Sequence, residues 1–181
     1  MSNNTSNKVF FDLETQRSSD DVGGWGHIAD MGLSVAVTFS TAENRYHVYT
    51  EDNVQELIQE LLDADLVVGF NVLRFDYVVL SAYTDFPLHE LPTLDMLAYI
   101  YRRLGFRISL DDLARVNLGI SKSGHGLQAI AWWNEGNVDA IIEYCRQDVT
   151  ITKELYELGR ALGFLRYQRR AGLDNKVKVK W

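Results

Sequence analysis

The sequence predicts an α/β fold, a mixed sheet that opens with a three-strand antiparallel meander and is flanked by helices. Three observations carry this. Three β-rich runs, over 8–13, 33–40 and 45–50, come first, with Ala42-Glu43-Asn44 as a turn between the last two. A helical stripe and then a short apolar run follow at 53–62 and 66–70, and a strand–helix–strand order implies a parallel crossover. A long 3.6-period pattern over 138–162 supplies a helix able to cover one face of the sheet.

Taken in order, residues 1–7 are polar and Ser/Asn-rich, and read as a disordered tail ahead of one domain spanning 8–181. Val9, Phe10 and Phe11 are β-formers and open the first strand. Residues 16–31 carry Ser, Asp and Gly in a long loop, and a loop of that length beside polar residues tends to be functional. Asp52 or Asn53 caps the 53–62 helix, whose stripe is Leu57, Ile58, Leu61 and Leu62. Helices are expected over 74–83, over 92–104 from Pro92-Thr93, and over 110–117, where Ser109 and Asp112 resemble a capping box. Residues 119–126 read as a basic loop and 127–133 as a helix. The alternating Lys and Val of 176–181 suggest an edge strand blunted by lysines.

The composition, 46% hydrophobic and 24% charged over 181 residues, suits a chain with a real core. No apolar run is long enough for a membrane span, and the start lacks the apolar stretch of a secretory signal. One cysteine, Cys145, cannot form an internal disulfide; it reads as a small buried hydrophobe and agrees with a cytoplasmic location. The net charge of −7 hides an asymmetry: residues 1–101 hold four basic and sixteen acidic side chains, residues 102–181 fourteen and nine. A polyanion can therefore meet the basic half while divalent metal sits in the acidic half.

The chemistry concentrates in three places. Asp12 and Glu14 lie one residue apart on a strand, so alternation puts both on one face. Two such carboxylates repel one another, and a hard cation, Mg²⁺ or Mn²⁺, relieves the repulsion. On the long helix, Ile141, Tyr144, Asp148, Ile151, Leu155, Leu158 and Leu162 follow steps of three and four, which sets Asp148 and Tyr144 on the core-facing stripe. A carboxylate there needs a partner. Arg146 is two residues away and points elsewhere, so a metal shared with Asp12 and Glu14 is the better account, with the Tyr144 hydroxyl beside the reacting water. The third place is Asn71-Val72-Leu73-Arg74-Phe75-Asp76, at the carboxyl end of a strand, where ligands of α/β sheets bind. Asp76 alone reads as an ordinary helix-start acid; after that strand it is a candidate fourth carboxylate.

Phe-Asp-Leu-Glu-Thr at 11–15, Asn-x-x-x-Phe-Asp at 71–76 and Tyr-x-x-x-Asp at 144–148 resemble, in order, the three exonuclease motifs of the DEDD superfamily. The tyrosine marks the resemblance as DEDDy; the histidine of the DEDDh branch would fall at Glu143. Trp132-Trp133-Asn134-Glu135-Gly136 leading into 143–148 is also similar to a bacterial group of predicted exonuclease domains, some associated with helicases. The resemblance implies a ribonuclease H-like fold and 3′–5′ removal of nucleotides from single-stranded DNA or RNA by two divalent cations. It implies metal binding by Asp12, Glu14, Asp76 and Asp148, with Asp12 bridging. It implies orientation of the nucleophile by Tyr144 with Glu14, and contacts to the terminal nucleotide from Thr15, Asn71 and Phe75. Phe75 equally suits a core position. Competing readings are an endonuclease with the same metals and a non-catalytic nucleic-acid-binding or partner-docking module. Trp25, Trp132 and Trp133 are candidates for base stacking or for packing, with one of the adjacent pair at most on the core face. Arg102, Arg103, Arg107, Lys122 and His125 are candidate phosphate contacts.

Overall fold

The computed structural model describes residues 6–120, 126–168 and 174–181. The apolar run at Val9–Phe11 extends into β1 (Lys8–Thr15), two residues longer than expected, and this strand is the middle of a five-stranded sheet. Antiparallel β2 (Leu33–Ser40) pairs with β1, and β3 (Arg45–Tyr49) with β2, which is the expected meander. On the other side β4 (Leu66–Gly69) and β5 (Thr93–Asp95) run parallel to β1, giving the order β3-β2-β1-β4-β5.

Alternation along β1 divides its side chains between two cores. Val9, Phe11 and Leu13 face a cluster built with α1 (Val54–Asp63) and α2 (Asp76–Leu80). Phe10 faces the other way, onto the helices α3 (Met96–Leu104), α4 (Leu110–Leu118), α5 (Gly126–Asn134) and α6 (Val138–Leu162). Asp12 and Glu14 share the face of Phe10, and so lie under α6. The sheet is thus covered on both sides by helices, the mixed α/β architecture that the sequence predicts. Among the described residues no helix is long and apolar enough to cross a membrane.

α6 has the predicted bounds. Asn137 caps it by accepting the Ala140 N–H at 3.4 Å, and Gly163 ends it in a left-handed turn at φ 74°. Its buried face is broader than the predicted stripe: Cys145, Val149, Thr152 and Tyr156 join it, while Leu162 at the end is exposed. Ser109 caps α4 by accepting the Asp112 N–H at 3.0 Å, as its spacing predicts.

Five expectations are corrected. The helix expected from Pro92 begins only at Met96, because Thr93–Asp95 pairs as β5 and Asp95 is the N-cap of α3, accepting the Ala98 N–H at 3.0 Å. The helix expected over 74–83 is only α2, since the chain from Asn71, at φ 73°, is held in a turn before it. Asn53 precedes α1 without capping it; its side chain accepts the Thr50 N–H at 2.8 Å instead. The strand expected over 176–181 is β7 (Asp174–Lys178), and its partner is β6 (Phe164–Gln168), a strand the sequence reading did not find. Both adjacent tryptophans, Trp132 and Trp133, pack half-buried on the α6-side core rather than one alone. Of the tail expected over 1–7, residues 1–5 lie outside the described residues, and Asn7 is fastened, its N–H donating to Asp65 at 2.6 Å. Most of the 119–126 loop, with Lys122 and His125, also lies outside them.

One glycine holds β4 against β1. A Cβ on Gly69 would stand 2.2 Å from Val72 Cγ1 and 3.0 Å from the Phe11 carbonyl oxygen. Val72 has 0% exposure and cannot swing into solvent. Gly69→Ala is therefore expected to lower unfolding free energy by about 2–3 kcal/mol, the upper range for overpacking. A denaturant midpoint equal to wild type would contradict this.

Candidate active site

A bulge between Glu14 and Thr15 precedes the last β1–β2 pair, Thr15 with Leu33, after which the chain enters the 16–31 segment. The loop is closed at its base by the Gln16 N–H to Gly32 and the Arg17 N–H to Met31, both at 3.0 Å. Asp12 and Glu14 thus sit at the carboxyl end of the central strand, half-buried, with the loop above them.

α6 brings the third carboxylate. Its close approach to β1 is marked by Cys145, whose thiol donates to the Asp12 carbonyl at 3.3 Å and lies 3.6 Å from Asp12 Oδ2. One turn further along, Asp148 is 6% exposed. Carboxylate oxygens of Asp12, Glu14 and Asp148 all fall within 4.8 Å of one another. Three negative groups so close repel strongly away from bulk water. An all-oxygen donor set of this kind fits a hard divalent cation, which removes the repulsion. Arg146 turns away, as its position two residues earlier predicts: it lies 3.8 Å from Glu143 and 5.7 Å from the Tyr46 ring centre. Burial and the nearby Asp12, Glu14 and Asp148 charges push the Cys145 thiol far up, so it stays a neutral hydrophobe rather than a nucleophile.

Asp76, at the first position of α2, is 2% exposed and accepts the Leu13 N–H at 3.1 Å, on the backbone between Asp12 and Glu14. It lies outside the tight group of three. Burial pushes its carboxyl up to about 7, against backbone N–H bonds from itself and Leu13 that pull it down, with Asp95 and Asp148 adding to the rise.

Asp95 is a residue the sequence reading missed. It is 4% exposed and accepts the Asn71 N–H at 3.0 Å, the Leu73 N–H at 3.1 Å and the Ala98 N–H at 3.0 Å. One carboxylate thus caps α3 and braces the turn that delivers Asp76. Its signal was an aspartate three residues before Ala98, just past a proline, which a reading of continuous helix hid.

Two cavities flank Asp12. The larger, about 530 Å³, is lined by Asp12, Glu14, Thr15, Trp25, Asn71, Phe75, Asp76 and Leu127. The other, about 400 Å³, is lined by Asp12, Asn71, Arg107, Ser109 and Asp148. Thr15, 5% exposed, donates its hydroxyl to the Arg17 carbonyl at 2.9 Å. The Asn71 side chain accepts from the Arg107 guanidinium at 3.0 Å, which places Arg107 against the second cavity. Phe75 is half-buried and meets Trp25 edge-on at 6.5 Å. Tyr144 is buried one turn before Asp148, with its ring edge-on to Trp132 at 6.1 Å, and lines neither cavity. Arg102 and Arg103 bond back to α3, at the Ala98 and Tyr99 carbonyls.

A family model described as the RNase_H superfamily matches residues 9–159. The chain belongs to the RNase_H superfamily. The match runs from β1 through most of α6 and so takes in every carboxylate of the site. No curated protein matches the sequence. Among solved structures, the family B DNA polymerase from the hyperthermophilic archaeon Pyrobaculum calidifontis is similar over 86% of this chain and 24% of its own, at 18% identity and a TM-score of 0.65. E. coli ExoI, in a zinc-bound complex with single-stranded DNA, is similar over 87% of this chain and 41% of its own, at 16% identity and a TM-score of 0.56. At these identities the likeness is one of fold, and this chain spans less than half the length of either.

Proposed function

We propose that this RNase_H superfamily chain is a metal-dependent 3′–5′ exonuclease that hydrolyses phosphodiester bonds at single-stranded ends of DNA or RNA. The observation that carries the reading is the convergence of Asp12, Glu14 and Asp148 within 4.8 Å, from the central strand and the long helix. A nucleic-acid phosphate is itself anionic and is repelled from such a group unless cations intervene. Asp12, Glu14 and Asp148 would hold one divalent cation, Mg²⁺ or Mn²⁺. Asp12, which faces both cavities, would reach a second with Asp76. Such ions, when bound, supply Lewis acidity at the phosphoryl oxygens and make water a better nucleophile at neutral pH.

The chain's own groups do the rest. Glu14 and Tyr144 orient the attacking water, Tyr144 from one helical turn before Asp148. Thr15, Asn71 and Phe75 line the cavity beside the carboxylates and would contact the terminal nucleotide, Phe75 with a ring face to its base. Arg107, held by Asn71 and lining the second cavity, would meet a neighbouring phosphate. The 3′–5′ polarity is supported by the resemblance of the three motifs to DEDDy exonucleases, and a helicase or other nucleic-acid-processing partner by the similarity at 132–148.

The test is a digestion of oligonucleotides labelled at either end, with Mg²⁺, Mn²⁺ or EDTA. The expected result is immediate release of 3′ label as mononucleotide, and none in EDTA. Internal fragments would indicate an endonuclease, and retention of intact oligonucleotide without turnover a binding module; either result overturns the proposal.

A further inference from the structure

The ribbon of β6 and β7 carries one face that the core does not use. Opposed residues of an antiparallel pair point the same way, so Leu165 and Val177 turn together into the α6-side core. The other face pairs Phe164 with Lys178 and Arg166 with Lys176, and alternation adds Lys180 just beyond β7. Arg166, Lys176, Lys178 and Lys180 are all exposed, in a chain whose net charge is −7. Among the described residues these four enter no ion pair, whereas Arg45, Arg115, Arg146 and Lys153 each meet a carboxylate. Lysines that blunt an open edge account for part of β7. They do not account for Arg166, because the edge of β6 is already covered: the Asn117 side chain takes both the Arg166 N–H, at 2.8 Å, and its carbonyl, at 2.7 Å. The ribbon is fastened at its other end as well. The Lys180 N–H donates to the Tyr99 hydroxyl at 2.8 Å, and the Trp181 indole N–H to the Tyr156 carbonyl at 3.0 Å. The same Tyr99 hydroxyl accepts the Arg103 guanidinium at 2.6 Å, which sets a fifth cation beside Lys180.

We infer that this cationic ribbon is a docking track for the sugar-phosphate backbone of a single strand, holding the part of the substrate that lies 5′ of the end at the carboxylates. The inference rests on the exonuclease reading for where that end sits, and deepens it by naming what retains the rest of the strand. The occupant is a polyanion with evenly spaced charges, because the cations are evenly spaced: three lysines recur every second residue, about 6.8 Å apart on an extended chain. Such a row repels itself, and a phosphate backbone relieves the repulsion while releasing its own counterions. Phe164 lies on the same face, with the Lys176 ammonium 4.1 Å from its ring centre, and cations interleaved with a ring suit a single strand. The ribbon also adjoins the site. Tyr167 of β6 meets Phe106 edge-on at 5.8 Å, and the next residue, Arg107, lines the second cavity with Asp12 and Asp148. The track touches substrate away from the reacting atoms and takes no part in the chemistry.

The experiment compares wild type with two triple variants, Lys176→Gln/Lys178→Gln/Lys180→Gln and Lys176→Arg/Lys178→Arg/Lys180→Arg. Thermal midpoints are measured alongside to confirm folding. Binding of a fluorescein-labelled oligothymidylate is followed by anisotropy in EDTA over a series of salt concentrations, so that no cleavage is needed. The Gln variant is expected to bind roughly tenfold to a hundredfold more weakly at about 0.1 M salt, and its slope of log affinity against log salt to flatten by about two, at about 0.7 per cation for single strands. The Arg variant keeps both. Digestion is read separately, as the kcat/KM of a long oligothymidylate over that of a trinucleotide, and this ratio should fall in the Gln variant. A Gln variant with an unchanged salt slope, in a protein that digests normally, overturns the track and leaves the exonuclease reading standing. A flattened slope in a protein that digests nothing supports the track and overturns the exonuclease reading instead. Displacement of the labelled strand by polyglutamate as effectively as by unlabelled oligothymidylate makes the face one for an acidic protein, and overturns the assignment to nucleic acid.

Discussion

Asp148→Asn and Asp12→Asn should each reduce Mg²⁺-dependent digestion of a single-stranded oligonucleotide by on the order of a thousandfold or more. Each change removes one charge from the group of three carboxylates while keeping volume and shape, so packing is barely altered. The expected loss reflects the several kcal/mol of charge stabilisation that bound cations supply in the transition state, at about 1.4 kcal/mol per tenfold. Both side chains are held by elements whose positions do not depend on them: Asp12 by a strand paired on both sides, Asp148 by a helix of 25 residues. In EDTA neither variant should be less stable than wild type, since each relieves repulsion among the three carboxylates, so a lost rate does not come from lost folding. Kinetics with 3′-labelled substrate check the first expectation and a denaturant curve the second. A variant with a rate within tenfold of wild type would remove these residues from the chemistry.

The second large effect is on stability, and its sign runs opposite to the usual carboxylate. The Asp76 carboxyl titrates near 3.8 when unfolded and is pushed up to about 7 by burial in the fold. Between those values the folded protein binds more protons than the unfolded one, so stability declines as pH rises from about 4 to about 7. In the metal-free protein this group therefore makes stability fall across that range rather than rise. Asp76→Asn keeps an oxygen to accept the Leu13 N–H but cannot ionise. It should be more stable than wild type at pH 8 in EDTA, be no more stable at pH 4, and digest poorly at either pH. Added Mg²⁺ should narrow the gap at pH 8 by stabilising wild type. Urea unfolding at pH 4, 6 and 8 checks this. A wild type with equal EDTA stability at all three would show that Asp76 ionises as freely in the fold as out of it.

These expectations share a physical theme. A site that brings three carboxylates together and buries a fourth nearby costs folding energy in the absence of its ligand. The raised Asp76 carboxyl in the metal-free state and the raised Cys145 thiol beside Asp12 are two local responses to that cost. Asp95 manages its burial differently, with three backbone N–H groups pointed at it.

The parts legible in the sequence were those with a period long enough to count. β1, β2, β3 and α6 have alternation or a 3.6 stripe over many residues, and Asp12, Glu14 and Asp148 break those patterns as acids on an apolar face. β5 has three residues and shows no period, so the helical signal of α3 absorbed it, and Asp95 with it. β6 follows a helix end and pairs across residues 169–173 with β7; the match of Leu165 to Val177 is a tertiary fact that neither strand announces alone. α2 looked longer because Arg74 and Phe75 suit a helix, but the left-handed Asn71 and its brace to Asp95 hold that stretch in a turn. The wide buried face of α6 had a similar origin, since a helix packed across two strands buries more than a single stripe. Exposure of Trp25 and Leu127 at one cavity needs three dimensions, because nothing in either local sequence points to the other.

The account stands on carboxylates from β1 and α6 sharing cations, and Mn²⁺ binding followed by the electron paramagnetic resonance of the free ion tests that without any substrate. Wild type should take up two Mn²⁺ per chain at neutral pH, and Asp148→Asn should bind at least tenfold more weakly. Uptake by Asp148→Asn that matches wild type, or no uptake by wild type, would contradict it.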